Sequence, residues 1–167
     1  MIMRRTGPVV VLLSSMLLMA CQSKHEPTAT DGLTDFANRY AQAWSGGDPA
    51  AFASFYAEDG SLVINDGEPS VGRKAIEQTA RDYMTAFPDM LVELVAVHRD
   101  GNHVVFSWHW TGTNTGPGGT GNAVDLAGYE EWTLSDDGLI SESRGHLDEA
   151  EYQRQLNAGS EGEGSDS

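Results

Sequence analysis

The sequence predicts an α+β domain: a strongly curved antiparallel sheet packs on three N-terminal helices and is followed by a short C-terminal helix. The first observation is that apolar residues recur at helical spacing as far as Pro88. The second is that Met90 to Leu147 consists of long apolar runs separated by turns that contain Asp-Gly. Helices on one face of such a sheet leave a cavity between the two layers. We place this domain at residues 32–156.

The helical half of the domain is predicted from apolar spacing and from helix end signals. A first helix ends at Gly46-Gly47, and Asp48-Pro49 begins a short second helix that reaches Tyr56. A strand at 61–64 and a third helix between Gly72 and Pro88 follow. The apolar faces of the first and third helices are Leu33, Phe36, Ala37, Tyr40, Ala43 and Trp44, and Ile76, Ala80, Tyr83, Met84 and Phe87.

Two hairpins account for the sheet half. Asp100-Gly101 and Asp137-Gly138 each join two apolar runs, which is a strong hairpin signal. The four predicted strands are 90–98, 104–111, 124–134 and 139–147. Asp148, with Glu151 three residues later, has the layout of a capping box and begins the last helix.

The N-terminus has the layout of an export signal. Arg4-Arg5 precede an apolar run of about a dozen residues, which is too short to span a membrane. The run ends in Leu18-Met19-Ala20-Cys21, which resembles the lipobox of bacterial lipoproteins. We therefore expect residues 1–20 to be a signal peptide, Cys21 to be lipidated, and the protein to be held in the cell envelope. The alternative is an ordinary signal peptide with a chance cysteine.

Composition restricts the partners. The formal net charge of −15 argues against nucleic acid and against anionic lipid heads as electrostatic partners, so membrane attachment would depend on the acyl chains. We expect a flexible linker at 21–31 and a disordered acidic tail at 157–167. The five histidines lack metal-ligand spacing, and the glycine-rich loop at 116–121 lacks a lysine, so neither a metal nor another cofactor is predicted.

Four motifs are similar to those of the SnoaL-like polyketide-cyclase family, which belongs to the nuclear transport factor 2 superfamily of cone-shaped α+β barrels. They are Ala86-Phe87-Pro88-Asp89-Met90, Trp110-Thr111-Gly112-Thr113-Asn114-Thr115-Gly116, Asp137-Gly138-Leu139-Ile140 and Gln153-Arg154-Gln155-Leu156. The resemblance runs from the first helix to the last and implies the cone fold. It leaves the function open, because this fold includes cyclases, isomerases, epoxide hydrolases and binding modules.

The chain departs from the family at the catalytic positions. In the cyclases it resembles, a carboxylate on the last strand acts with a histidine and a glutamine on the preceding strand. Counting from Asp137-Gly138, these positions fall on Gly145, Glu131 and Tyr129. Because glycine cannot transfer a proton, the family's aldol cyclisation does not carry over residue by residue.

Glu131 is the candidate acid or base that remains, with Tyr129 or His146 as its partner. Alternation along a strand places Tyr129, Glu131 and Thr133 on one face, and the resemblance implies that this face meets the ligand. Burial under aromatic rings would raise the pKa of Glu131 and suit it to general acid or base catalysis. The alternative is a solvated carboxylate, because Glu130 and Glu131 are adjacent and one must point outward.

Aromatic residues on the facing surfaces of the two layers indicate either a filled core or a pocket for a flat apolar ligand. The aromatic set comprises Tyr40, Trp44, Phe55, Tyr56, Tyr83, Phe87, Trp108, Trp110, Tyr129 and Trp132. The predicted ligand-binding residues are Tyr40, Trp44, Tyr56, Met84, Phe87, Trp108, Trp110, Tyr129 and Glu131.

Three functions remain open at this stage. The favoured function is a lipid-anchored domain that binds a small, largely apolar or aromatic molecule. The second is a cyclase, isomerase or hydrolase that uses Glu131. The third is an interaction module of the envelope that dimerises through the outer sheet face. If Trp108 and Trp110 pack on the helices, His109 faces outward, where a dimer partner could contact it.

Overall fold

The computed structural model describes residues 29–158, which fold into a curved six-stranded sheet with helices packed on it. The helices are α1 (Ala29–Ser45), α2 (Pro49–Ala53), α3 (Arg73–Ala86) and α4 (Glu149–Leu156). The strands are β1 (Tyr56–Ile64), β2 (Ser70–Val71), β3 (Leu91–Asp100), β4 (His103–Thr113), β5 (Ala123–Leu134) and β6 (Ile140–Leu147). The predicted α+β class is confirmed.

The sheet is mixed and open rather than a closed antiparallel barrel. Its strand order is β2-β1-β6-β5-β4-β3, and strands β3 to β6 form an antiparallel meander. Strand β1 pairs in parallel with β6, which corrects the prediction of a wholly antiparallel sheet. The parallel pair arises because the chain leaves β1 through β2 and α3, and then reaches the position beside β1 only after the whole meander.

The second helix is shorter than predicted. Asp48 caps it as expected, because its Oδ1 accepts hydrogen bonds from the amides of Ala50 and Ala51 at 3.1 Å. The helix nevertheless ends at Ala53, and β1 already begins at Tyr56. The chain is extended there because the Phe55 carbonyl accepts a hydrogen bond from the Ile140 amide of β6 at 2.9 Å. Pairing with the sheet thus prevails over the helical spacing of the aromatic side chains.

The ends of the domain differ from the predicted boundaries in one respect. Helix α1 begins at Ala29, inside the segment predicted as a linker. The predicted signal peptide, the lipidation site Cys21 and the tail from residue 159 lie outside the described residues. Within residues 29–158, no helix is both long enough and apolar enough to cross a membrane.

Alternation along β4 and β5 determines which side chains enter the core. On β4 the even-numbered residues are buried, including Phe106, Trp108 and Trp110. Trp108 lies opposite Gly128 of β5. A Cβ atom at Gly128 would overlap the ring of Trp108 and the carbonyl oxygen of His146. The absence of a side chain at Gly128 therefore allows the Trp108 ring to lie flat over the sheet.

Substitution of Gly128 tests this close packing. We expect Gly128→Ala to lower the free energy of unfolding by about 1–3 kcal/mol, because the new methyl group must displace a ring or a strand carbonyl. Urea unfolding measures the change. Gly32→Ala is the control: Gly32 lies on the exposed side of α1 with open space around it, so alanine should be neutral or stabilising by up to about 1 kcal/mol. Equal stability of Gly128→Ala and the native chain would contradict the packing argument.

Candidate functional site

A buried carboxylate lies at the centre of the interface between helices and sheet. Glu130, on the inner face of β5, is only 6% exposed. Its Oε2 accepts three hydrogen bonds: from the Tyr40 hydroxyl at 2.7 Å, from Trp132 Nε1 at 2.9 Å and from the Ser143 hydroxyl at 2.7 Å. These donors come from α1, β5 and β6, so three elements meet on one oxygen atom.

A second tyrosine extends this network. The Tyr40 and Tyr56 hydroxyl oxygens are 2.8 Å apart. Because Tyr40 gives its single hydrogen to Glu130, Tyr56 must donate to Tyr40. Burial, reinforced by the charge of Glu130, raises the pKa of both phenols well above the usual value of 10.0. Both tyrosines therefore remain protonated donors at any physiological pH.

Burial also raises the pKa of Glu130 above the usual glutamate value of 4.5. Hydrogen bonds to the charged form from Trp132, Ser143, Tyr40 and Trp44 oppose this rise but do not cancel it. Three of these four donors occupy Oε2, so Oε1 is the less occupied oxygen of the carboxyl group.

Glu130 borders a pocket of about 60 Å³ between the helices and the sheet. Three tryptophans and one tyrosine form the aromatic part of its wall, and five aliphatic or sulfur-containing side chains complete the apolar lining. The lining residues are Trp44, Leu62, Ile64, Tyr83, Met90, Val92, Trp108, Trp110, Glu130, Gly145, His146 and Leu147. The pocket therefore combines an apolar wall with one buried acid.

Two of the pocket's tryptophans have unsatisfied donors. The indole Nε1 atoms of Trp108 and Trp110 are buried and have no hydrogen-bond partner among residues 29–158. Leaving a buried donor unpaired costs roughly 1–3 kcal/mol. Such departures from the usual rules of stability occur mainly at functional sites, which supports a functional reading of this pocket.

The structure divides the predicted ligand-binding residues into two groups. Trp44, Trp108 and Trp110 line the pocket, as predicted. Tyr40, Tyr56, Met84 and Phe87 are buried without lining it, which corrects their assignment as ligand contacts. Their side chains fill the core instead: Tyr40, for example, lies in edge contact with Trp132 at a centroid distance of 4.8 Å. Some residues of the aromatic set therefore line the pocket, and others fill the core.

Tyr129 and Glu131 lie on the opposite face of the sheet from the pocket, which corrects their assignment to its wall. Tyr129 is 41% exposed, and its ring stacks on His146 at 4.5 Å. Glu131 Oε2 is 3.0 Å from His146 Nε2. Because successive residues of a strand point to opposite faces, the adjacent Glu130 enters the core instead. His146 borders both the pocket and the outer face.

A signal for the correct face was present in the sequence. The even-numbered residues Val124, Leu126, Trp132 and Leu134 of β5 are apolar, whereas Asp125, Glu131 and Thr133 alternate with them. This period-2 pattern places Glu130 on the apolar side. Counting from the Asp137-Gly138 turn favoured Tyr129 and Glu131 instead, and a difference of one residue along β5 is enough to reverse the face.

Gly145 does border the pocket, directly opposite Glu130 in the β5–β6 register. A Cβ atom at Gly145 would lie 3.6 Å from Glu130 Cγ, an ordinary contact distance. The position to which the resemblance assigns the cyclase carboxylate therefore carries no side chain here, and the buried acid is on the neighbouring strand. The arrangement offers one acid, where the cyclases that the chain resembles pair a carboxylate with a histidine and a glutamine.

His109 faces away from the pocket, while Trp108 and Trp110 beside it are buried. Its Nε2 lies 2.7 Å from Asp125 Oδ1, and this hydrogen bond is the main cause of its raised pKa. The conditional prediction that His109 faces outward is therefore confirmed. Within residues 29–158, no group of three or more His, Cys, Asp and Glu side chains is arranged to hold a metal ion.

The sequence of this domain matches a known domain family. The family model described as a SnoaL-like domain matches residues 37–143, which is most of the folded region. The chain belongs to the SnoaL-like domain family. No curated protein matches it.

Solved structures confirm the fold of this SnoaL-like domain. A Catenulispora acidiphila protein with a ketosteroid isomerase-like fold, in complex with trimethylamine, is 18% identical with a TM-score of 0.67; the match covers 74% of this chain and 92% of that one. A protein from Jannaschia sp. assigned as a SnoaL-like polyketide cyclase is 20% identical, with a TM-score of 0.63 and coverage of 75% and 93%. The epoxide hydrolase/cyclase-like enzyme SalBIII of salinomycin pyran-ring formation is 18% identical, with a TM-score of 0.63 and coverage of 74% and 95%.

The raised pKa of Glu130 predicts how stability depends on pH. The native state holds the Glu130 proton to a higher pH than the unfolded state does. Its contribution to stability is therefore complete below the ordinary pKa of 4.5 and is lost as pH rises through the raised value. The loss is about 1.4 kcal/mol for each pH unit between the two pKa values.

Urea unfolding of the native protein and of Glu130→Gln across this pH range measures the effect. Glutamine retains an acceptor for the three donors on Oε2 and has no proton to lose, so its stability should lack this pH dependence. Glu131→Gln, one residue along on the exposed face, is the matched control and should follow the native curve. Identical pH profiles for the native protein and Glu130→Gln would contradict the prediction.

Proposed function

We propose that this SnoaL-like domain binds a small, largely apolar molecule in the pocket, with Glu130 as its polar contact. The observation that carries the proposal is the combination of aromatic walls from Trp44, Trp108 and Trp110 with one buried acid. A preformed apolar concavity with a few fixed polar groups is the usual form of a small-molecule site. The structural neighbour in complex with trimethylamine supports binding of a small molecule in this fold.

We further propose that the domain is tethered to a bacterial membrane through lipid on Cys21, in the cell envelope. The basic start, the short apolar run and the Leu18-Met19-Ala20-Cys21 ending support this proposal. The net charge of −15 agrees with an attachment that does not depend on anionic lipid heads.

Acid or base catalysis is the second candidate function, now with Glu130 in place of Glu131. The raised pKa of Glu130 and the three donors that hold Oε2 favour it, because both suit proton exchange at Oε1. The neighbours assigned as cyclase or as epoxide hydrolase/cyclase-like enzyme support this candidate. Loss of turnover in Glu130→Gln, with the fold retained, would favour an enzyme over a binding protein.

Dimerisation through the outer face remains a proposal of its own. Val95, Val105 and Tyr129 are exposed by 64%, 39% and 41%, and all three belong to β3, β4 or β5. Exposed apolar side chains on a sheet face are a common basis of protein–protein contact. Sedimentation that shows a monomer at high concentration would count against it.

The binding proposal predicts that the protein retains a small molecule when it is purified from its own host. Native mass spectrometry should detect a complex that dissociates on unfolding. Gly145→Ala should weaken or abolish it, because the new methyl group takes up part of a pocket of only about 60 Å³. Stability should change little, since that methyl group lies at ordinary contact distances. A Gly145→Ala protein that retains the molecule as well as the native chain does would contradict binding in this pocket.

The tether proposal predicts that the mature chain begins at Cys21 and has the mass of an acylated residue. Incorporation of a fatty-acid label in the host, followed by mass spectrometry of the N-terminal peptide, measures both. Cys21→Ser should abolish the label, and Ser23→Ala is the matched control that should keep it. A mature chain that begins at another residue and carries no lipid would exclude the tether.

A further inference from the structure

We propose that the molecule bound in the pocket carries a methylated ammonium group, which lies against the aromatic walls with the Glu130 carboxylate as its counter-ion. This inference rests on the proposed small-molecule binding and adds the chemical class of the ligand. The walls, the charge, the mouth and the size of the pocket each support it.

The walls have the composition of an aromatic cage. Trp44, Trp108, Trp110 and Tyr83 all line the pocket, and Trp44 and Tyr83 are in edge contact at 6.0 Å. Tryptophan faces attract cations more strongly than other rings do, and cages of this kind are the usual means of recognising quaternary ammonium groups.

The charge inside the pocket has one sign. Glu130 is an acid on its lining, and no lysine or arginine is among the lining residues. A carboxylate buried without a counter-charge is costly, as its raised pKa shows. A cation beside Oε1 would relieve that cost, whereas an anionic ligand would increase it. The three donors on Oε2 stabilise the ionised form of Glu130, which is the form that attracts a cation.

The mouth of the pocket is also acidic. Ile64, His146 and Leu147 border both the pocket and an adjoining surface depression, whose further lining includes Asp66 and Glu149. No lysine or arginine lines that depression either. With a net charge of −15 on the whole chain, the field at the entrance attracts cations.

The size of the pocket limits the group that enters it. A pocket of about 60 Å³ can enclose only a few heavy atoms, so a methylated ammonium group would be enclosed in part, with the rest of it at the mouth. Both a free alkylammonium ion and the head of a choline lipid contain this group.

Binding of such a cation requires Glu130 to be ionised, so affinity should fall as pH decreases through the pKa of Glu130. The other titratable groups that face this site are Tyr40, Tyr56 and Tyr83, with His146 at the mouth. The phenols stay neutral, since burial raises the pKa of Tyr83 to about 12 and that of the other two well above 10.0. A pH dependence that vanishes in Glu130→Gln would therefore assign the effect to Glu130 and not to His146.

The test compares choline with its neutral isostere 3,3-dimethyl-1-butanol, which has the same shape without the charge. Isothermal titration calorimetry of the purified mature chain in maltoside micelles measures both affinities. We expect choline to bind at least 10-fold more tightly. Glu130→Gln should lose this preference and still bind the neutral alcohol, whereas Glu131→Gln on the outer face should keep the native preference.

The possible outcomes distinguish the ammonium inference from the proposed small-molecule binding. Equal or tighter binding of the neutral alcohol would overturn the ammonium inference and leave small-molecule binding intact. Failure of both probes would overturn the inference as well; the retained molecule sought by native mass spectrometry would then decide whether the pocket binds anything. A choline affinity that is weakened in phosphatidylcholine vesicles relative to micelles would identify the lipid head as the source, and an unchanged affinity would identify the free ion.

Discussion

The hydrogen bonds to Glu130 Oε2 are the constraint on which the rest of the site depends. They join α1, β5 and β6 at one atom inside an otherwise apolar interface. Apolar contacts tolerate sliding, but three directional bonds from Tyr40, Trp132 and Ser143 admit only one placement of the helix on the sheet. The same three hydrogen bonds therefore fix both the orientation of the Glu130 carboxyl group and the position of α1 on the sheet.

That constraint explains why an acid is tolerated at this depth. A buried carboxyl with no partners would destabilise the domain, whereas three donors offset most of the lost hydration. Most of this offset falls on Oε2, which receives three of the four donors. The two oxygens of one side chain therefore have different surroundings, and Oε2 is the one that joins the helix to the sheet.

The layers of the fold were predicted correctly, but the inward face of β5 was predicted wrongly, although the alternation of apolar residues along that strand indicates it. Asp48, Asp148 and the two Asp-Gly turns gave reliable element boundaries because their chemistry is local. The parallel pairing of β1 with β6 joins segments about eighty residues apart, and no local pattern encodes it. The choice between Glu130 and Glu131 depended on the parity of a single strand, where an error of one residue exchanges the core for solvent.

The aromatic residues show a second limit. Spacing identified most of the rings that turn inward, with Tyr129 as the exception, yet only packing decides which of those rings touch one another and which border the pocket. Tyr40 and Trp44 lie one helical turn apart on α1; the first is wholly enclosed by other rings, and the second lines the pocket. A list of inward-facing aromatics is therefore a better guide to a core than to a site.

The position of β6 within the sheet has a kinetic consequence. Gly145, on the floor of the pocket, belongs to a strand that has hydrogen-bonded neighbours on both sides, β1 and β5. An inner strand does not fray as an edge strand does, so this part of the pocket wall is held from both sides. If the pocket binds a ligand as proposed, exchange would then require movement of bordering side chains such as Ile64 and Leu147 rather than of the sheet.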